Sequence, residues 1–198
     1  MLDKLERLPT NSYEPENWAY WADALSKSEC ERTISYFNEL PRERGTAGDK
    51  LDINKRDVNI VWLPKDDEHQ WIYDRIFSVG AKLNEQFFRF DLDGSYEQIQ
   101  ISRYGVGEHY STWHMDRSEP GFRGSYFPRK LTLVMQLSDP GSYDGGELQF
   151  FTGEDPAVAP KERGTLSAHD SRMPHRVAPV TRGERYSLVV WFGGPPFK

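Results

Sequence analysis

A single cysteine, Cys30, stands among 198 residues. No disulfide can form within such a chain, and a reducing compartment suits it. Positive charge is also short: 25 Lys and Arg face 31 Asp and Glu, for a formal net charge of −6. That balance argues against electrostatic capture of nucleic acid as the principal task. The basic residues Arg123, Arg129 and Lys130 could form at most a local patch. No apolar run approaches the ~20 residues that cross a bilayer. The opening Met-Leu-Asp-Lys-Leu-Glu-Arg has no apolar stretch of the kind a secretory signal needs. Repeats, low-complexity tracts and linker-like stretches are missing as well. The expectation is one domain over 1–198, in the cytoplasm, without membrane or nucleic-acid partners.

Aromatic residues, by contrast, are plentiful at 14%, enough to fill a β-rich core and to line a pocket. Residues 1–17 are polar and read as a strand or arm lying on the domain. Ser26 followed by Glu29 fits a capping box. The helix it opens carries Cys30, Ile34, Phe37 and Leu40 at helical spacing and stops at Pro41, which makes Cys30 a core residue. Residues 41–55, charged and glycine-bearing, read as a mobile loop with room for short strand character. Val58, Ile60 and Trp62 alternate as in a half-buried strand. Asp66-Asp67-Glu68 precedes a second helical stretch from Trp71 to Phe87, where acidic residues favour the positive end of the helix dipole; His69 there reads as solvated.

From residue 96 the pattern changes to short strands, near 96–104, 110–116, 130–138, 146–151, 163–169, 174–178 and 184–192. Turn signals such as Gly105-Val106-Gly107 and Asp144-Gly145-Gly146 separate them. Two helices followed by many short strands predict a mainly β fold with flanking α. A double-sheet jelly roll with the helices packed on one sheet leads. Residues 1–95 would be helical and strand support, and 96–192 the jelly-roll core.

The chemistry is concentrated in His114-Met115-Asp116, His175 and Arg185-Tyr186-Ser187. On a strand, residues i and i+2 point the same way, so His114 and Asp116 project together and Met115 points to the other face. A second imidazole from His175 completes a set that can occupy one face of an iron(II) octahedron and leave three positions open. Neutral imidazoles and one carboxylate leave such a centre with net charge +1, which favours an anionic chelating cosubstrate. Arginine suits a buried strand poorly unless it meets an anion, and its planar fork grips a carboxylate through two hydrogen bonds. Arg185 is therefore the candidate holder of a dicarboxylic cosubstrate. Strand parity places Thr132, Val134 and Gln136 on one face, whose two polar members make sense if it lines the pocket. His109 and His169 lie near the ligand blocks without the required spacing and read as surface or supporting residues. Gly145-Gly146 reads as a turn.

These blocks resemble the iron(II)/2-oxoglutarate-dependent dioxygenases, and within them the prolyl 4-hydroxylase-like group and its bacterial PKHD-type hydroxylases. The resemblance covers roughly 97–192. It rests on Arg103-Tyr104 through His114-Met115-Asp116, on Leu137-Ser138-Asp139-Pro140 with Ser142 to Leu148, on Pro174-His175-Arg176-Val177 with Pro179-Val180, and on Arg182 to Ser187. Trp21 and the segment 26–30 are similar to the group's N-terminal helix more weakly.

The resemblance implies a double-stranded β-helix. It implies His114, Asp116 and His175 as iron(II) ligands, and Arg185 as partner of the distal carboxylate of 2-oxoglutarate. Ser187 and Tyr104 would add cosubstrate contacts, and strand parity adds Thr132 and Gln136 as candidates; some relatives carry a tyrosine at the position of Gln136. Leu148, Val177 and Trp191 would be apolar walls. The implied reaction is hydroxylation of an unactivated C–H bond with 2-oxoglutarate and O2, releasing succinate and CO2, with ascorbate in support. A prolyl residue in a peptide or protein is the favoured substrate. A free amino acid or other small molecule is the enzymatic alternative, and a noncatalytic metal-binding jelly roll the alternative of another class. Loops 41–55 and 117–129 would flank the pocket mouth, the second carrying Arg117, Phe122, Arg123, Tyr126 and Phe127.

Overall fold

The computed structural model describes residues 17–47, 50–118 and 127–196. Most of the expected N-terminal arm lies outside the described residues, as do Phe122, Arg123 and Tyr126 of the second loop.

In chain order the elements are β1 (Trp18–Trp21), α1 (Lys27–Glu39), β2 (Glu43–Arg44), β3 (Asn59–Leu63), α2 (Gln70–Leu83), a π-helical turn (Asn84–Phe88), β4 (Ile99–Tyr104), β5 (Tyr110–His114), β6 (Arg129–Gln136), β7 (Asp144–Gly145), β8 (Leu148–Phe150), β9 (Ala157–Val158), β10 (Leu166–Asp170), β11 (His175–Val177), β12 (Val180–Arg182) and β13 (Arg185–Gly193). The strands form a seven-stranded sheet in the order β1-β10-β6-β13-β4-β3-β2, a four-stranded sheet in the order β5-β11-β8-β9, and a small β12-β7 pair. All pairings between these strands are antiparallel. The expected jelly roll is present, with both helices on one face of the large sheet.

Helix α1 starts where its sequence says it should. The Ser26 hydroxyl accepts from the Glu29 amide, and the Glu29 carboxylate accepts from the Ser26 amide at 2.7 Å. Such a box is worth about 1 kcal/mol. Cys30 is fully buried, and burial pushes its thiol up to about 11. Helix α2 ends at Leu83, before Phe87. Asn84 clamps Phe90 through both its amide nitrogen and its amide oxygen, each at 2.9 Å. The acidic start expected for α2 takes the form of Asp66, whose carboxylate accepts from the His69 amide at 3.1 Å and contacts His69 Nδ1 at 2.6 Å. His69 is therefore not solvated: it is buried, with its ring edge against Tyr36.

The seven-stranded sheet is covered on both sides, and alternate residues of one strand serve different cores. On β6, Leu131, Leu133 and Met135 pack with Ile72, Ile76 and Phe37 of the helices, while Val134 joins Leu148, Phe150 and Val177 of the four-stranded sheet. Strand β3 behaves in the same way. Val61 and Leu63 are as buried as Ile60, so the half-buried strand expected from its alternation is sandwiched instead. The face turned toward the smaller sheet is the one that carries the site.

Candidate active site

His114 and His175 are direct partners in the register of β5 and β11. Two residues far apart in sequence thereby come side by side. Asp116 lies just past the end of β5, and its carboxylate meets the same point. Its Oδ1 is 4.0 Å from His114 Nε2, and its Oδ2 is 3.5 Å from His175 Nε2. One ligand atom from each of the three residues lies within 4.8 Å of the others. Met115 is 55% exposed, yet it borders the same cleft at its rim.

The imidazoles are oriented from behind. His114 Nδ1 donates to the Thr112 carbonyl at 2.9 Å, and His175 Nδ1 donates to the Met173 carbonyl at 3.0 Å. A carbonyl only accepts, so the proton sits on Nδ1 and each Nε2 presents its lone pair to the centre of the cluster. The ring of Tyr110 stacks on His114 at 3.5 Å. Burial, together with neighbouring His175, pushes the His114 imidazole down to about 4. That keeps it neutral and able to ligate near pH 7.

Asp116 is equally well held. Thr132 Oγ1 donates to its Oδ2 at 3.0 Å and lies 3.0 Å from the Ser171 hydroxyl. The amide of Arg117 donates to the Ser171 carbonyl at 2.8 Å, which fixes the chain directly after the carboxylate. Burial alone would raise this carboxyl. The nearby His175, His114 and Arg129 outweigh that and hold it well below the usual carboxylate range. Arg129 is itself locked in a buried fork with Glu97 at 2.6 and 2.5 Å, and its guanidinium stacks on Trp191 at 4.0 Å. It does not belong to a basic surface patch. Lys130 does not either: its ammonium donates to the Asp91 carbonyl at 3.1 Å.

These groups open on a cleft of about 490 Å³ between the two sheets. Arg185 lines it and is only 1% exposed. Its Nη1 donates to Ser187 Oγ at 3.2 Å, while Nε and Nη2 are buried without a hydrogen-bond partner. Among the described residues, no carboxylate pairs with it. Tyr104, its register partner on β4, lies with its ring centre 5.4 Å from the guanidinium carbon. Tyr143 lies beside it too, and burial raises the phenols of both tyrosines. Gly146 is required here: at φ +66 a Cβ would come within 2.9 Å of Arg185 Cδ. The turn expected at Gly145-Gly146 is therefore also the floor under the arginine.

The donor set fits the group for which it was singled out. Two preset imidazole lone pairs and one carboxylate suit Fe(II). A buried, uncompensated guanidinium in the same cleft suits one end of a dicarboxylate. Tyr104, Ser187, Leu148, Val177 and Trp191 all line the cleft. Thr132 and Gln136 sit on the inner face as parity requires but do not border the cavity. The Thr132 hydroxyl is engaged with Asp116 rather than available to a cosubstrate. Gln136 lies opposite Ser187 in the β6–β13 register, with its Oε1 buried and unpartnered.

Of the two roles left open for His169, surface or supporting, the structure shows the second, and other neighbours went unread in the sequence. His169 is fully buried, with its ring 4.3 Å from that of His175 and its Nε2 4.0 Å from Asp116 Oδ2. Burial and His175 keep it neutral by pushing it well below its usual value. The signal that could have found it was its place on a strand adjacent to β6, directly opposite Thr132. Tyr110 shares strand parity with His114, a signal of the same kind. Nothing in the sequence pointed to Glu97 as the partner of Arg129. His109 stays outside the cluster, where its Nδ1 accepts from the Ser111 amide at 3.2 Å.

The comparisons with known proteins agree with this geometry. A profile of the 2OG-Fe(II) oxygenase superfamily matches residues 99–193. A PKHD-type hydroxylase of Synechococcus sp. is 30% identical over 171 residues, which cover 85% of this chain and 75% of the relative. A viral collagen prolyl hydroxylase from Paramecium bursaria Chlorella virus-1, solved with 2-oxoglutarate, superposes with a TM-score of 0.68 at 21% identity, over 90% of this chain and 97% of that one. A prolyl hydroxylase from Trichoplax adhaerens, solved with a hypoxia-inducible-factor peptide fragment, gives a TM-score of 0.71 at 18% identity, over 89% and 83% of the two chains. At those identities the two structures speak for the fold, the double-stranded β-helix. The sequence relative, together with the His-Asp-His cluster and the unpaired arginine, carries the rest: this chain belongs to the PKHD-type hydroxylases of the 2OG-Fe(II) oxygenase superfamily.

Proposed function

We propose that this enzyme hydroxylates a prolyl residue within a peptide or protein. In this reading His114, Asp116 and His175 hold Fe(II), and Arg185 holds the distal carboxylate of 2-oxoglutarate. The observation that carries the reading is the buried Arg185, without a carboxylate partner among the described residues, in the same cleft as the His-Asp-His cluster. When bound, Fe(II) with 2-oxoglutarate and O2 supplies the oxidising power to hydroxylate an unactivated C–H bond, with succinate and CO2 as coproducts.

The chain's own part is positioning. The Thr112 and Met173 carbonyls fix the two imidazole tautomers, and Thr132 with Ser171 fixes the carboxylate. Arg185 and Ser187 set the direction in which a dicarboxylate lies, since a desolvated guanidinium gains most from a carboxylate that meets its free N–H groups. Leu148, Val177 and Val189 make the walls apolar and keep water from the reacting carbon.

The prolyl assignment draws on the structural relatives, which are prolyl hydroxylases, and on the wall of the cleft. Trp62 and Trp191 line it with ring centres 6.2 Å apart. Proline-rich chains dock on aromatic-lined grooves, because the pyrrolidine ring packs flat on an indole and the chain is already extended. One observation favours a second reading, a free amino acid or other small molecule: a cleft of about 490 Å³ falls in the usual range for small-ligand sites.

The test is to supply iron-loaded enzyme with 2-oxoglutarate, O2, ascorbate and a library of proline-containing peptides, with free L-proline alongside. Succinate that rises with peptide, matched by a product heavier by one oxygen on proline, supports the prolyl reading. Oxygen insertion only into the free amino acid replaces it with the second reading. Insertion into another residue type overturns the prolyl assignment while leaving the enzyme class intact.

A further inference from the structure

We propose that Arg56 binds a carboxylate carried by the substrate, so that the enzyme selects an acidic group close to the hydroxylated carbon. The proposal rests on the hydroxylase reading above and names a substrate feature that the reading leaves open.

Arg56 lies between β2 and β3 and lines the cleft. Its guanidinium carbon sits 4.9 Å from the ring centre of Tyr110, the same ring that stacks on His114 at 3.5 Å. The cation is thus one aromatic layer from a candidate iron ligand. It is fixed at two points by neutral groups: Nη1 donates to the Thr46 carbonyl at 2.7 Å, and Nη2 donates to Gln100 Oε1 at 3.3 Å. Gln100 is oriented in turn, because its Nε2 donates to Ser102 Oγ at 2.7 Å. Arg56 Nε is buried and has no hydrogen-bond partner. On the cleft wall, Trp62, the register partner of Gln100, leads to Trp191, whose indole N–H is a further buried donor without a partner.

Nearby cations are matched: Lys55 by Asp52, Arg44 by Asp57 and Glu108, Arg103 by Glu184, and Arg129 by Glu97. Among the described residues Arg56, like Arg185, has no carboxylate. A cation partly removed from water is costly without an anion, and the cost is recovered when one arrives. The backbone accommodates this placement at Gly45, where a Cβ would lie 2.8 Å from Arg56 Nε and 2.6 Å from Val58 Cγ1. Selection of an acid here is local, because the net charge of −6 repels anions at long range.

The carboxylate has three possible sources: an acidic side chain, the C-terminus of a peptide, or a free amino acid. The experiment separates them. Full-length enzyme, Arg56→Met and Arg56→Lys are titrated anaerobically with matched acid and amide ligands. The pairs are prolyl peptides carrying Glu or Gln at each flanking position, peptides ending in proline as free acid or amide, and L-proline against prolinamide. Wild type should prefer the acid in at least one pair by roughly tenfold in Kd, and that pair identifies the source. The preference should fall close to unity in Arg56→Met. It should survive in part in Arg56→Lys, which keeps the charge but loses the planar fork. Gly45→Ala, which displaces the guanidinium without changing any charge, should also lower it.

The proposal is overturned if no pair is discriminated by wild type, if the preference persists in Arg56→Met, or if Arg56→Met changes only the 2-oxoglutarate requirement. Because the readout is a ratio of binding constants, it fails independently of the prolyl assignment, which is read from the oxidised product.

Discussion

The two faces of the seven-stranded sheet are built from the same strands and do different work. The face toward the helices is apolar throughout its centre: Leu131, Leu133 and Met135 on β6, Leu188, Val190 and Phe192 on β13. Alternate residues of those strands, Thr132, Val134, Gln136, Arg185, Ser187, Val189 and Trp191, face the space between the sheets, and all but the two valines carry polar groups. Buried polarity opposes folding unless it is satisfied, and on this face Arg185, Gln136 and Trp191 each have a buried atom without a partner. One face therefore stabilises the fold, while the other holds unsatisfied groups that a ligand can complete.

The comparison breaks most sharply at the candidate metal cluster. Asp116→Ala should abolish succinate formation and metal binding, as read by product and iron analysis. Arg185→Met comes next. Removing the buried partner of a carboxylate costs about 2–5 kcal/mol of binding, so the 2-oxoglutarate requirement should rise from tens to thousands of fold. The same substitution removes an uncompensated buried charge, so the cosubstrate-free protein should be as stable as wild type or more so. A urea titration checks this.

On the opposite face the effects should invert. Leu133→Ala, fully buried against the helices, should cost about 2–5 kcal/mol of stability. The 2-oxoglutarate requirement of the molecules that remain folded should stay as it was. Acid should act through the inner face. His114 takes its proton near 4 when folded and near 6.5 when unfolded, so the unfolded chain binds more protons between those values. The stability of the metal-free protein is then highest above pH 6.5 and falls as the pH drops toward 4, by up to about 3 kcal/mol from this group. Unfolding measured across that range in wild type and His114→Ala should show the loss diminished in the variant.

Much of this was legible from periodicity. The capping box at Ser26, the strand positions of the core and the convergence of His114, Asp116 and His175 all follow from local patterns and from the tendency of a jelly roll to bring distant strands together. Residues whose setting depends on three-dimensional neighbours were not legible. His69 looked solvated on its helix, but Asp66 and Tyr36 enclose it. Arg129 looked like a surface cation, but Glu97, distant in sequence, holds it inside. Thr132 was assigned to the correct face, yet parity cannot tell which inner group a hydroxyl will meet, and it meets Asp116. Strand β3 is different: Val58, Ile60 and Trp62 suggested one covered face, but Val61 and Leu63 make Ile60 to Leu63 a continuous apolar run, the mark of a strand covered on both faces.

The most direct measurement is succinate release by the purified, iron-loaded protein with 2-oxoglutarate and O2, compared with Arg185→Met at the same iron occupancy. The division of labour between the two faces predicts succinate from the wild type, and from the variant only at far higher 2-oxoglutarate. Equal succinate from both at low 2-oxoglutarate, or none from fully iron-loaded wild type with any peptide or amino acid supplied, would contradict it.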